Sequence, residues 1–486
     1  MLFNSIDFLI FFPITISVYF IIPRKFRYIW LLVCSYYFYM SWNPKYAMLI
    51  GLSTIITYIS GILCDKSTKA SSRKISLIFS LASNLSILIL FKYSTFLINN
   101  LNVILSKLKI EPALHSFDLL LPVGISFYTF QALSYTIDVY NGKIQAERNI
   151  LKYALYVSFF PQLVAGPIER SGNLLPQIQN IASIKLWNIE RIKHGFLLML
   201  WGYYQKLVIA DRAAILVKNV FQNYQNYGFL EISLAAICFA FQIYGDFGGY
   251  TNIARGAAQI MGFHLMDNFK QPYLASSIKD FWKRWHISLT SWFTDYLYIP
   301  LGGNRKGLLR KYFNIIIVFT VSGLWHGAAW TYIIWGFLHA LFQIAEDIYV
   351  CVSSRFTNKT QHARSFSTRF RKSILCFAFV DFAWIFFAAD SLKHALSIIK
   401  QMFTAISRNP SSVGFDHEDF VIFFIAILIL CIVDILHENN ISIMHHINCQ
   451  EFWFRWLIYI GALWTVLLFG IYGIEYDTST FIYFQF

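Results

Sequence analysis

The sequence predicts an all-α, polytopic membrane protein, and three observations carry that reading. Of 486 residues, 57% are hydrophobic and only 14% charged, against roughly 25% charged in soluble domains. Apolar runs recur along the whole chain, each bounded by a short polar stretch, and a bilayer-spanning helix needs about 20 such residues. The runs are continuously apolar, whereas the strands of a membrane barrel alternate. The mean hydropathy of +0.51 rules out disorder. The net charge of +14 then reports basic cytoplasmic loops and not a nucleic-acid surface.

Taken in order, the first run, 8 to 22, follows an N-terminus without basic residues and lacks a small-residue cleavage site. It reads as a retained span and not a signal peptide. Runs at 28 to 41, 46 to 63, 76 to 98 and 119 to 139 follow. The segments after runs one, three and five hold nine Lys or Arg (Arg24, Lys25, Arg27, Lys66, Lys69, Arg73, Lys74, Lys143 and Arg148). Those after runs two and four hold three, Lys45, Lys107 and Lys109. The positive-inside rule therefore places the N-terminus outside the cytoplasm.

Further runs near 151 to 167, 195 to 217, 229 to 245, 313 to 343, 373 to 389, 419 to 436 and 453 to 474 bring the expected total to about 11–13 spans. The segment 266 to 312 interleaves Trp282, Trp285 and Trp292 with Lys279, Lys283, Arg284, Lys306 and Arg310, a mixture that reads as re-entrant or interfacial. The stretch from Ser353 to Lys372 carries six Lys or Arg and no acid, as a cytoplasmic loop would. The seven cysteines (34, 64, 238, 351, 376, 431 and 449) form no CxxC pair, so free thiols are expected and neither a zinc site nor a disulfide framework. No internal repeat is evident.

One ionisable residue sits well inside the run from Phe313 to Phe342: His326, in Ser322-Gly-Leu-Trp-His-Gly-Ala-Ala-Trp330; His339 lies near its end. Intramembrane ionisable residues usually line a site, and neutral imidazole suits a general base near pH 7. Gly323 and Gly327 form a GxxxG spacing that admits a close neighbour, so a packing motif with a hydrogen-bonded histidine is the competing reading. His286 lies forty residues earlier; without HxxxH or HExxH the two histidines give no metal signature. Asp246, in Tyr244-Gly-Asp-Phe-Gly-Gly-Tyr250, ends an apolar run and reads equally as a charge-paired helix end or as a site residue. Gly302-Gly303-Asn304 marks a turn, and Glu169-Arg170 an ion pair at a helix end. No Walker motif, GxSxG elbow or dinucleotide fingerprint is present, which argues against ATP hydrolysis, classical serine hydrolysis and nicotinamide chemistry.

These motifs resemble the membrane-bound O-acyltransferase family, most closely its bacterial alginate O-acetylation branch. The resemblance rests on Leu121 to Phe127, Phe160 to Gln162 with Gly166 to Arg170, Tyr244 to Tyr250, Arg284 to Leu289, Tyr298 to Asn304, and Leu324 to Gly327. It implies a single membrane domain over 1–486, with N-terminal spans 1–118, a signature core 119–345, C-terminal spans 346–480 and an aromatic tail 481–486. It further implies a ring of tilted helices around a central tunnel, with His326 catalytic and His286 in the same tunnel. Asp246, Trp285, Arg284, Asn304, Trp325 and Glu169 are then candidates to line or bind, and no metal is expected.

The tail Phe481-Ile-Tyr-Phe-Gln-Phe486 is similar to the aromatic C-terminal motif of a small peptide that works beside the D-alanyl transferase of teichoic acids. That likeness makes Tyr483 an acyl carrier; an interfacial aromatic anchor is the alternative. A phenol has a pKa near 10 and needs a base to act as nucleophile. The expected activity is transfer of an acyl group, acetyl, from a cytoplasmic thioester (acetyl-CoA or an acyl carrier protein) for O-acetylation of an envelope or secreted polysaccharide. No bound cofactor is expected. An extracytoplasmic esterase-like acetyltransferase completes the transfer, in the bacterial cytoplasmic membrane and with lipid but no nucleic acid as partner. D-alanyl transfer to teichoic acid is the alternative within the enzyme class. A polysaccharide or lipid transporter is the alternative outside it, and the inverted repeats it would carry are not visible.

Overall fold

The computed structural model describes residues 1–110, 122–163, 166–356, 365–406 and 413–472. Every regular element among them is helical. Among the described residues, seven helices are long and apolar enough to cross a membrane: Tyr46–Lys66, Ala70–Lys107, Phe229–Met261, Leu308–His326, Trp330–Ser354, His417–Glu438 and Phe452–Phe469. The remaining apolar runs fall short of that measure. Those at 8 to 22, 28 to 41 and 119 to 139 become helices of 16, 14 and 16 residues. At 1.5 Å per residue such helices fall short of a hydrocarbon core about 30 Å thick. The helix Phe366–Ala388 is long enough, but its first turns carry Arg369, Arg371 and Lys372.

What marks the spans as lipid-facing is the side that packing leaves bare. In Phe452–Phe469 only Val466 is buried, while Trp456, Leu457, Ile460, Leu463, Trp464 and Leu467 are exposed. In water such a surface would aggregate; in lipid it is the solvated face.

Two compact units make up the chain, Met1–Phe196 with Ala254–Met266, and Leu197–Ile253 with Asp267–Phe486.

In the first unit, helix Tyr46–Lys66 packs against Ala70–Leu88 and Ile125–Tyr140 through small and hydroxylated residues. Ser53, Thr54, Thr57, Ser60 and Gly61 are all buried, and a Cβ on Gly61 would lie 2.6 Å from the Tyr135 ring. The Tyr153 hydroxyl donates to Thr57 at 2.7 Å, and Ser80 and Thr136 share a bond of 3.2 Å. Close approach with hydrogen bonds across helices replaces the hydrophobic drive that lipid does not supply.

In the second unit, the apolar run from 313 to 343 does not form one helix. Helix Leu308–His326 ends at the histidine, residues 327–329 turn, and Trp330–Phe356 returns against it. Gly323 meets the backbone of Tyr332, and Gly336 that of Phe319, so the GxxxG spacing does admit a close neighbour, and the neighbour is the second half of the same run. The segment 266–312 is a series of short pieces, Pro272–Leu274, Ile278–Arg284, Ile287–Phe293 and Thr294–Tyr298. None is long enough to span, in keeping with an interfacial or re-entrant segment. Gly302 and Gly303 both have positive φ, as the turn required.

A methyl group on Gly323 would collide with the Tyr332 carbonyl, and this backbone cannot yield as a flexible side chain would. Gly323→Ala is therefore expected to cost about 1–3 kcal/mol and to lower the thermal unfolding temperature of the detergent-solubilised protein. An unchanged unfolding temperature would show that the hairpin is not held by that contact.

Candidate functional site

The second unit brings the two histidines together. His326 is the last residue of its helix and His286 caps the start of Ile287–Phe293; both are buried. Their ring centroids lie 6.3 Å apart. Around them stand Trp325, 5.0 Å from His326 and 6.1 Å from His286, then Trp335 and Phe387 at 5.1 and 5.5 Å from His326. Phe247 lies 4.6 Å from His286. An aromatic box of this kind shields the rings from bulk solvent, so proton positions and dipoles inside it weigh more than they would in water.

His286 is held in a backbone conformation uncommon for a residue with a side chain. Its φ of 44° and ψ of 53° lie in the left-handed region, which costs a residue with a Cβ roughly 1–2 kcal/mol. Asn268 over-determines it. The Asn268 side-chain oxygen lies 3.0 Å from His286 Nδ1 and accepts from Ser288 Oγ at 2.9 Å and from the Ser288 N–H at 3.3 Å. The Asn268 carbonyl accepts from the Ile287 N–H at 2.9 Å. Strain retained at a buried polar residue is commonly part of a mechanism.

Against the end of the His326 helix lies a cavity of about 650 Å³, lined by Gly327, Tyr332 and Phe387 on the histidine side and by Lys218, Gln242, Asp390 and His394 elsewhere. His394 Nδ1 sits 3.4 Å from the Asp390 carboxylate and its Nε2 lies 2.9 Å from the Phe221 carbonyl. The volume lies within the range of small-molecule sites.

The other expected residues divide. Trp325 joins the box. Trp285 does not: it is buried between Phe269, Phe281 and Trp384 at 4.9 to 5.5 Å. Arg284 is engaged by Asp280 at 2.9 Å and Glu438 at 2.6 Å, with Arg369 also on Glu438. Asn304 is exposed in its turn.

Asp246 is not at a helix end. Helix Phe229–Met261 runs on through it, and its carboxylate pairs with Lys206 at 2.7 Å, as does Asp211. That places it in a buried triad and not among the groups around His326. Glu169 belongs to the first unit, where it accepts from the Met266 N–H at 2.6 Å and from Asn173 at 2.7 Å. Burial pushes its carboxyl up to about 7, against the downward pull of those hydrogen bonds. Tyr483 and the whole motif 481–486 lie outside the described residues, as do residues 357–364 of the basic loop.

Three residues that sequence reasoning did not select stand out. Asn268 carries no motif of its own. Lys206 lies forty residues from Asp246, and only the fold pairs them. His339 is buried beside Trp335 at 5.1 Å and receives the Trp282 indole N–H on Nδ1 at 3.3 Å. Its position thirteen residues after His326 was the available signal.

A model of the membrane-bound O-acyltransferase family matches residues 145–388. Over 408 residues the chain is 37% identical to a protein of Pseudomonas putida named probable alginate O-acetylase AlgI, covering 83% of this chain and 80% of the relative. It is 34% identical over 432 residues to the peptidoglycan O-acetyltransferase of Helicobacter pylori, again covering 83% and 80%. Likeness to the teichoic acid D-alanyltransferase of Bacillus subtilis is lower, 26% over 287 residues, 56% of this chain and 70% of the relative.

Removing one member of a buried ion cluster leaves uncompensated charge in a medium that cannot solvate it. Lys206→Met, which strands Asp211 and Asp246, is expected to cost about 3–5 kcal/mol, read as loss of monodisperse protein on size-exclusion chromatography. A monodisperse variant of unchanged thermal stability would show that the triad does not hold this unit together.

Proposed function

This chain belongs to the membrane-bound O-acyltransferase family, and from that premise we propose that it moves an acetyl group from a cytoplasmic thioester to an extracytoplasmic polysaccharide. The observation that carries the reading is the position of His326, buried in an aromatic box and followed directly by Gly327, which lines a cavity. Charge orients that cavity. Helix Leu308–His326 begins beside Arg305, Lys306, Arg310 and Lys311, and Phe366–Ala388 begins beside Arg369, Arg371 and Lys372. By the positive-inside rule these starts are cytoplasmic. Their far ends, Gly327 and Ala388, line the cavity, which supports an opening on the outer side; a bacterial cytoplasmic membrane with the N-terminus outside is the setting proposed from the loop charges.

In the proposed reaction a hydroxyl oxygen attacks the thioester carbonyl while His326 takes its proton. The new C–O bond forms, the C–S bond breaks, and the departing thiolate recovers the proton from the imidazolium, so charge and protons balance. Tyr483 is the first acceptor, and its phenyl ester passes the acetyl group to an extracytoplasmic esterase-like acetyltransferase that acts on sugar hydroxyls. Acetyl-CoA or an acyl carrier protein supplies the thioester. The Pseudomonas and Helicobacter relatives, named for O-acetylation of alginate and peptidoglycan, support a polysaccharide as the final acceptor.

His326→Ala removes the base without adding bulk, so polymer acetylation is expected to vanish while expression and membrane insertion persist. Normal acetylation by an inserted variant would sink the assignment. Tyr483→Phe deletes only the phenolic oxygen and is expected to be equally inactive, with an acetyl adduct on the C-terminal peptide detected by mass spectrometry in wild type and lost in His326→Ala. Full acetylation by Tyr483→Phe would reduce the tail to a membrane anchor.

A further inference from the structure

We infer that Asn268 is a positioning residue that fixes His286 in a single tautomer and, through it, orients His326. The inference rests on the reading of His326 as the base. It begins with one atom whose role is not open to choice. The backbone N–H of Ser288 can only donate, and it points at the Asn268 side chain at 3.3 Å. The atom it meets is therefore the amide oxygen and not the nitrogen.

An amide oxygen only accepts. His286 Nδ1, 3.0 Å from the same oxygen, must then carry the ring proton. The remaining contacts agree: Ser288 Oγ donates to that oxygen at 2.9 Å, and the Asn268 amide nitrogen faces Thr251 Oγ1 at 3.4 Å. In the neutral imidazole so fixed, Nε2 holds a lone pair and no proton.

His286 is thus an acceptor by construction, set beside a histidine that must give up a proton after each attack. At a centroid separation of 6.3 Å the two rings are too far apart for a direct hydrogen bond and close enough for one water oxygen to bridge them. A bridged His286 Nε2 draws an N–H of His326 toward itself and leaves the other His326 nitrogen to take the proton of the nucleophile. This is the arrangement of a base oriented by a third group, with an asparagine–histidine pair in the orienting place. The left-handed backbone of His286 belongs to the same device, because it lets residues 286 to 288 direct three donors onto one oxygen.

The test uses the full-length enzyme in detergent or proteoliposomes with acetyl-CoA as donor. Asn268→Leu releases the tautomer and is expected to lower kcat on the order of 10²-fold with KM for the donor unchanged. Asn268→Asp, which accepts the same donors, is expected to restore most of the rate. If Asn268 acts through His286, Asn268→Leu costs nothing further in a His286→Gln background, because glutamine has no tautomer to fix. Should leucine at this buried position prevent folding, Asn268→Ser, too short to reach the ring, is read in the same way.

A folded Asn268→Leu or Asn268→Ser enzyme with wild-type kcat, or losses that multiply with His286→Gln, would overturn the inference. His326→Ala in the same assay separates the two claims. If it stays active, His326 is not the base, whatever Asn268 does. If it is dead while the Asn268 variants run at full rate, the base stands and the positioning role falls.

Discussion

A polar atom at membrane depth has no water to turn to, and several buried polar side chains among the described residues are placed where another part of the protein stands in for that water. In the first unit the substitutes are hydroxyls and backbone carbonyls, Thr57 beneath Tyr153 and Ser80 beside Thr136. In the second they are stronger. Lys206 lies between two aspartates, and one amide oxygen gathers three donors beside His286. Glycine makes such meetings possible. A Cβ on Gly249 would lie 2.7 Å from the Gly202 carbonyl, and only a crossing that close carries Asp246 to Lys206.

The same constraint explains what was legible in the sequence. Spans such as Tyr46–Lys66 and His417–Glu438 announce themselves because lipid demands unbroken apolar surface, and family resemblance and helical class followed from residues that can be read in order. The turn at 327–329 did not announce itself. Gly-Ala-Ala is as apolar as a helix interior, and the close packing of Gly323 and Gly327 on Tyr332 that the turn permits lies in three dimensions and not in hydropathy. Asp246 misled for a related reason. The glycines after it look like the end of a helix, yet Gly248 and Gly249 continue one whose length is secured by packing on residues forty positions earlier.

The site was legible to the same depth. His326, His286 and Trp325 are rare residue types in apolar surroundings, and rarity is visible in one dimension. The partners that give them direction are ordinary. Asn268 matters for the orientation of an amide, His339 for an indole that reaches it from fifty-seven positions away. Arg284 and Trp285 sit in the same motif as His286 but face other tasks, an ion cluster and a ring stack. Adjacency along the chain does not say which way a side chain turns where short helices meet at sharp corners.

The left-handed backbone of His286 sets stability and activity against each other at a single position. Glycine and asparagine enter that region at little cost, and either one at position 286 would relax the corner and make a sturdier protein without its second imidazole. Selection for robustness alone would erode this residue first. The left-handed corner at position 286 thus sets a cost in folding stability, roughly 1–2 kcal/mol, against an acceptor nitrogen placed beside His326.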